Sequence, residues 1–239
     1  MCKIFHFDSK HYSTPSRLLI ISFDGFRHDY ITRLPATDDN NFLRLIRDGV
    51  WAQAGIKNVF STKTFPNHYT IATGLYEEST GIVGNDVYLS QIGEAIDVRS
   101  PEAHEVKDVF LGEPLWVTWI KQQGGNQDKV GAAFWPASSH EIGGIRLENW
   151  MEYNVSRPFE NRVDVVVDQW LAKDEFELVM MYHNEPDATA HRFGPDSPEV
   201  FDAIRTVNQN LGYLLKKDQT RWIVLGCSKI ANLNPYGGG

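Results

Sequence analysis

The chain has 239 residues, enough for one large domain or two small ones with a substantial core. Its composition, 42% hydrophobic and 23% charged, is ordinary for a soluble globular protein. The formal net charge of −8 argues against a nucleic-acid polymer as partner, so an anionic substrate would need cations placed locally, which metal ions could supply.

Cysteines and apolar runs exclude further classes. Cys2 and Cys227 provide neither a disulfide framework nor a cysteine-based zinc site. The longest apolar stretch, 18–23, has the length of a strand, so no transmembrane segment or membrane anchor is predicted. The N-terminal residues lack the apolar block of a signal peptide. One glycosylation sequon, at Asn154, would matter only in a secreted chain.

Strand and helix patterns alternate along the chain. Short apolar runs predict strands at residues 17–23, 130–134, 176–182 and 222–225, with a further β-like segment at 50–60. Amphipathic segments bounded by Pro, Ser, Thr or Gly predict helices at residues 41–48, 66–73, 114–123, 158–171 and 198–216. Residues 89–112 read as an irregular, acidic surface insertion. This alternation predicts an α/β fold with a mostly parallel sheet, helices on both faces, and functional groups just past the carboxyl ends of the strands.

Two candidate residues lie where chemistry is expected in such a fold. Asp24 follows the first strand directly, where a hard carboxylate could hold Zn²⁺ or Mg²⁺; alternatively it is a turn residue bonded to its own backbone. Thr64 opens a helix, and the helix dipole would favour its alkoxide; alternatively it is an ordinary N-cap.

A second group follows the strand at 176–182. Asp187 and His191 have i,i+4 spacing, which places both on one helical face as possible zinc ligands, or else marks a solvated helix start. Asn85 could present its amide to a phosphate oxygen, although a Gly-Asn pair is more often a turn. Three further histidines have no partner at ligand spacing and are interpreted as structural or surface residues: His68, His140 and His183.

Five segments together resemble the nucleotide pyrophosphatase/phosphodiesterase (ectonucleotide phosphodiesterase) family of the alkaline phosphatase superfamily. In chain order they read LIISFDGFR (19–27), TKTFPNHY (62–69), TGLYE (73–77), GIVGND (81–86) and EPDA…HRFGPD (185–196). The resemblance runs from about residue 17 to 225. It implies a truncated alkaline-phosphatase-like sheet and an extracellular or cell-surface parent protein.

The same resemblance assigns roles to the candidate residues. Asp24 and Thr64 would lie on one zinc, and Asp187 and His191 on a second; Thr64 would be the nucleophile that forms a phospho-threonine intermediate. Asn85 would donate to a phosphoryl oxygen. Phe65 and Tyr153 fall where the family stacks a nucleobase, which implies small nucleotides as substrates.

The chain also departs from the family pattern. Family members follow the strand at 222–225 with Ser-Asp-His-Gly, whose Asp and His complete the second metal site, whereas this chain reads Gly-Cys-Ser-Lys at 226–229. In family members a further His, much later in the chain, completes the first site. Without these residues each zinc would keep two protein ligands, where catalytic zinc usually has three. We therefore expect a non-family segment (1–16), the N-terminal part of a catalytic domain (17–225) and a divergent tail (226–239). Two alternatives remain: an inactive fragment or splice product that at most binds partners, and a lysophospholipid phosphodiesterase of the same superfamily.

Overall fold

The computed structural model describes residues 17–37, 39–173, 176–217 and 223–225. The predicted segments 1–16 and 226–239, which include both cysteines and the Gly-Cys-Ser-Lys sequence, lie outside the described residues. No helix in the described part of the chain is both long enough and apolar enough to cross a membrane.

A parallel sheet forms the centre of the fold. The strands found in the described residues are β1 (Leu18–Phe23), β2 (Asp86–Leu89), β3 (Glu94–Asp97), β4 (Val130–Ala133), β5 (Trp150–Met151), β6 (Leu178–His183) and β7 (Ile223–Leu225). Five of them pair in the order β5-β4-β6-β1-β7, every neighbouring pair parallel, and β2 and β3 form a separate antiparallel hairpin. Strands β1 and β6 lie in the interior of the sheet and are buried on both faces, which explains their continuous apolar sequences.

Helices connect and cover these strands. They are α1 (Tyr30–Arg33), α2 (Asn41–Asp48), α3 (Thr64–Thr73), α4 (Glu77–Thr80), α5 (Leu115–Gln122), α6 (Phe159–Asp164), α7 (Asp187–Phe193) and α8 (Pro198–Lys217). Helix α6 continues through a π-helical turn at Val165–Trp170 and a 3₁₀ turn at Leu171–Lys173. Helix α8 begins at a Ser197 cap and buries one stripe of apolar side chains against the rest of the core: Val200, Ile204, Val207, Leu211 and Leu214.

The α/β class and the mostly parallel sheet predicted from the sequence are confirmed. The predicted β-like segment at 50–60 is wrong, because no strand forms there. The N–H groups of Val59, Phe60 and Ser61 are instead taken by side chains of α3 and α4.

The predicted irregular insertion at 89–112 is only partly correct. It contains strand β3 and a 3₁₀ helix at Pro101–Glu105, capped by the Ser100 side chain. It is also not purely a surface segment, because Val98, Val109 and Phe110 are buried in the main core. Their side chains fix the segment to the domain, an effect that its acidic composition does not reveal.

His140 is one of the buried polar side chains of the core. Its ring packs edge-on to that of His104, with 4.5 Å between the centroids, and against Phe110. Burial, followed by the charges of His104 and Arg146, lowers the pKa of His140 to about 3. The folded state therefore holds His140 neutral under conditions where the unfolded chain would protonate it.

We expect the free energy of unfolding to fall as the pH drops below about 6.5. Below that pH His140 is protonated in the unfolded state, whereas in the folded state it stays neutral down to about pH 3. The contribution of one such group approaches about 1.4 kcal/mol per pH unit. Urea unfolding of the chain and of His140→Gln between pH 7 and 4 measures how the free energy of unfolding depends on pH. That free energy should fall less steeply with pH in His140→Gln, and an equal dependence in both proteins would contradict the role given to His140.

Candidate active site

Asp24 lies directly after β1, at the carboxyl edge of the sheet, and is 3% exposed. Its Oδ2 accepts hydrogen bonds from the hydroxyl groups of Thr64 at 3.1 Å and Tyr182 at 2.7 Å. Its Oδ1 accepts the backbone N–H of Gly25 at 3.0 Å, the local bond expected of a turn aspartate. The carboxylate therefore stabilises its own turn with one oxygen and joins three chain segments with the other.

Gly25 permits close approach between the end of β1 and the start of α7. Its φ is +66°, and an added Cβ would lie 2.7 Å from the Cα of Asp187. The Asp187 N–H donates to the Asp24 carbonyl oxygen across this contact, at 3.1 Å. A residue with no side chain at position 25 thus brings the buried carboxylate of Asp24 and the partly buried carboxylate of Asp187 to the same edge of the sheet.

Asp187 is the less satisfied of these two carboxylates. Its Oδ1 is buried without a hydrogen-bond partner, while Oδ2 lies 3.4 Å from Nε2 of His191, whose side chain is 63% exposed. Burial, together with the negative charges of Asp24 and Glu185, raises the pKa of Asp187 to about 8. A divalent cation would provide the missing partner and the missing positive charge.

The donor set suits such a cation only in part. Carboxylates, a hydroxyl and an imidazole are ligands that zinc accepts, and one of the carboxylate oxygens, Asp187 Oδ1, is buried without a hydrogen-bond partner. However, nowhere in the described ranges do three or more His, Cys, Asp or Glu side chains come together in an arrangement that could hold a metal ion. The residues group in pairs: Asp24 with Thr64, and Asp187 with His191.

Thr64 is the first residue of α3, and the N-cap position belongs to Lys63. Its hydroxyl therefore does not cap the helix; it donates to Asp24 instead. The adjacent N–H of Phe65 is taken by the Asn85 side chain, whose Oδ1 accepts it at 3.2 Å. Because the Oδ1 of Asn85 accepts this helix N–H, only the N–H₂ end of its amide can donate a hydrogen bond.

The two aromatic residues predicted to stack a base have different surroundings. Tyr153 is half-exposed, and its ring lies 5.5 Å from Phe134 and 6.1 Å from Tyr182, the residue that bonds Asp24. Phe65 packs against Phe110 at 6.2 Å. An open pocket of about 450 Å³ adjoins Tyr153 and is lined by Glu152, Tyr153, Asn154, Val155 and Arg157.

Sequence reasoning missed Tyr182, which lies inside an apolar strand. Burial raises its pKa well above the ordinary value, so the hydroxyl remains a neutral donor to Asp24. Its ring also packs edge-on to His68, at 5.1 Å between the centroids.

The interpretation of His68 as structural holds, although its position matters for the site. Its Nδ1 lies 2.7 Å from the Thr64 carbonyl oxygen, which can only accept, so Nδ1 carries the proton. Nε2 is then the acceptor for the Ser22 hydroxyl at 2.8 Å. The i,i+4 spacing from Thr64 was the signal in the sequence that could have located this residue.

Comparisons with known proteins agree with the resemblance in the sequence. The model of the family described as type I phosphodiesterase / nucleotide pyrophosphatase matches residues 18–224. Human ectonucleotide pyrophosphatase/phosphodiesterase family member 5 is 34% identical over 200 residues, covering 84% of this chain and 40% of the human protein. A Xenopus laevis bis(5'-adenosyl)-triphosphatase is 36% identical over 213 residues, which is 88% of this chain and 44% of that protein.

Solved structures give the same result. Murine ectonucleotide pyrophosphatase/phosphodiesterase 5 superposes with a TM-score of 0.75 at 37% identity, over 84% of this chain and 52% of the murine chain. A second murine structure, at 36% identity and the same TM-score and coverage, is a threonine-to-alanine variant described as inactive and in complex with AMP. The chain spans less than half the length of these two curated relatives and about half of the solved chains.

Proposed function

Since the chain belongs to the type I phosphodiesterase / nucleotide pyrophosphatase family, we propose that its site hydrolyses phosphodiester or pyrophosphate bonds of nucleotides with Thr64 as nucleophile. The observation that carries the proposal is the Thr64 hydroxyl. Thr64 is the first residue of a ten-residue helix whose N-cap is Lys63, so its hydroxyl does not cap the helix. The hydroxyl donates instead to the buried carboxylate of Asp24 at the carboxyl edge of the sheet. The inactive threonine-to-alanine variant of the murine relative supports a threonine in this role.

Two zinc ions would each have a pair of ligands, Asp24 and Thr64 for one and Asp187 and His191 for the other. Bound there, zinc supplies positive charge to the phosphate and lowers the pKa of the threonine hydroxyl. Two features of Asp187 support a cation beside this carboxylate: its Oδ1 lacks a hydrogen-bond partner, and burial and the charges of Asp24 and Glu185 raise its pKa.

The side chains then divide the reaction between them. The Thr64 oxygen forms a bond to phosphorus as the P–O bond to the leaving group breaks, and its proton is directed towards Asp24 Oδ2 by the existing hydrogen bond. The Asn85 amide donates to a non-bridging oxygen. Water cleaves the resulting phospho-threonine and returns Thr64 to its starting state.

Small nucleotides are the proposed substrates. Tyr153, half-exposed beside Tyr182 and the pocket, would stack a nucleobase, and Phe65 would contribute from α3. The AMP bound to the murine relative and the name of the Xenopus laevis relative, bis(5'-adenosyl)-triphosphatase, both support adenine nucleotides or dinucleotides. The net charge of −8 argues against nucleic-acid polymers.

An extracellular or cell-surface protein is the proposed context. The human relative is named an ectonucleotide enzyme. The sequon at Asn154 lies on an exposed turn, where the Asn154 side chain accepts the Ser156 N–H, so it is accessible to glycosylation.

The 239-residue chain is proposed to be an impaired catalyst. With two side chains per zinc instead of three, zinc would bind weakly, and the charge on the leaving oxygen would lack a firmly held counter-charge. Each 1.36 kcal/mol lost from transition-state stabilisation is about tenfold in rate, so a loss of several orders of magnitude is expected.

The test compares the chain with a chimaera that joins residues 17–225 to the C-terminal part of the murine relative. Calorimetry measures zinc binding, and a nitrophenyl nucleotide ester measures turnover with and without zinc. We expect zinc-dependent turnover from the chimaera and at least about a thousandfold less from the chain alone. A chimaera that binds zinc but leaves nucleotide esters intact would overturn the function, whereas equal turnover by both proteins would overturn the impairment alone.

A further inference from the structure

The loop that precedes Thr64 is held by two side chains rather than by a strand or a helix. Glu77, the first residue of α4, is 7% exposed. Its Oε2 accepts the backbone N–H of Phe60 at 3.0 Å, and its Oε1 accepts that of Ser61 at 2.6 Å. No Lys or Arg side chain of the described ranges lies within ion-pair distance of this carboxylate, so the two backbone N–H groups are what compensate its burial.

Asn67 holds the same loop from the other side. It lies one turn after Thr64 in α3, and its Oδ1 accepts the N–H of Val59 at 3.1 Å. Its Nδ2 donates to the carbonyl oxygens of Ser61 at 2.9 Å and Lys63 at 2.8 Å. Together, Glu77 and Asn67 contribute five hydrogen bonds to residues 59–63, the loop that delivers Thr64 to Asp24.

Packing alone does not explain why a loop this short receives five hydrogen bonds from two side chains, one of them a buried carboxylate. Of the loop's two apolar side chains Val59 is buried but its neighbour Phe60 is 100% exposed, so the loop adds only one buried apolar side chain. What the loop does fix is the entry of the chain into α3, and hence the position of the Thr64 hydroxyl relative to Asp24. From these contacts we infer that Glu77 and Asn67 are positioning residues for Thr64, an inference that rests on the proposed role of Thr64 as nucleophile.

The experiment uses the 239-residue chain, without zinc, and compares Glu77→Gln with Glu78→Gln. Glu78 is the exposed neighbour of Glu77 and undergoes the same chemical change. In Glu77→Gln one oxygen becomes an N–H₂ group that faces a backbone N–H, so two donors oppose each other. We expect the amide hydrogens of Phe60 and Ser61 to exchange roughly 10- to 100-fold faster, with Glu78→Gln unchanged.

A second readout distinguishes positioning of Thr64 from mere loop stability. The methyl resonance of Thr64, assigned by its absence in Thr64→Ser, should shift or broaden in Glu77→Gln, while that of Thr206 on α8 should not. Asn67→Asp keeps the Oδ1 acceptor for Val59 and loses the two N–H donors to Ser61 and Lys63, so it should change the Thr64 methyl signal in the same way. If Glu77→Gln does not fold, Asn67→Asp takes its place in the experiment. The inference would be overturned if the Phe60 and Ser61 amide hydrogens of Glu77→Gln exchanged no faster than those of Glu78→Gln. An unchanged Thr64 methyl signal in Glu77→Gln would also overturn it. Neither readout requires catalysis, so a failure of the proposed function would show separately, in the chimaera.

Discussion

Replacing Thr64 by alanine in the chimaera is expected to lower hydrolysis of a nucleotide ester by at least about a thousandfold, because the reaction loses its nucleophile. The fold should survive. Thr64 does not cap α3, and Asp24 Oδ2 keeps the Tyr182 hydroxyl as a partner when the Thr64 hydroxyl is removed. The loss of one hydrogen bond to a carboxylate costs about 1.5–3 kcal/mol, which urea unfolding would measure.

Thr64→Ser is the matched control, because serine keeps the hydroxyl and removes only the methyl group. It should retain most of the turnover, and mass spectrometry of acid-quenched protein should detect a phosphorylated residue 64 in the wild type and in Thr64→Ser but not in Thr64→Ala. Turnover of Thr64→Ala near that of the wild type would show that Thr64 only orients Asp24, and that another group attacks phosphorus.

Much of the scaffold was predictable because its signals are local. Strands β1 and β6 are short apolar runs followed by Asp24 and by the Asp187 segment, and parallel strands bring their carboxyl ends to one edge of the sheet. That reasoning predicts that these residues converge, and the hydrogen bond from Thr64 to Asp24 is consistent with it. Their chemical roles came from the resemblance to a family and remain proposals.

The remaining features depend on contacts between distant segments. The β-like segment predicted at 50–60 runs into the loop at 59–63, whose partners are Glu77 and Asn67, and no local pattern links these residues to it. Tyr182 reads as one more apolar residue of a buried strand until its hydroxyl is placed beside Asp24. The raised pKa of Asp187 comes first from its burial and then from the charge of Asp24, whose proximity Gly25 makes possible.

Gly25→Ala is therefore expected to disrupt the site far more than an ordinary glycine substitution. Two separate costs apply: a residue other than glycine at φ +66° is strained by about 1–2 kcal/mol, and a Cβ placed 2.7 Å from the Cα of Asp187 adds overpacking of about 1–3 kcal/mol. The overpacking can be relieved only if α7 moves away from β1, because the added Cβ would meet backbone atoms of Asp187.

The control for this experiment is Gly74→Ala at the end of α3. Gly74 has nearly the same φ, +70°, but nothing lies within 4 Å of an added Cβ, so it carries the conformational strain without the clash. Unfolding by urea should give a larger loss of stability for Gly25→Ala by about 1–3 kcal/mol. Calorimetry of the chimaera should show zinc affinity lowered at least about tenfold in Gly25→Ala and unchanged in Gly74→Ala, since only the former separates Asp187 from Asp24. If both variants lose the same stability and bind zinc equally well, the close approach at Gly25 does not hold Asp24 and Asp187 together. The two-cation arrangement proposed for this edge of the sheet then loses its main geometric support.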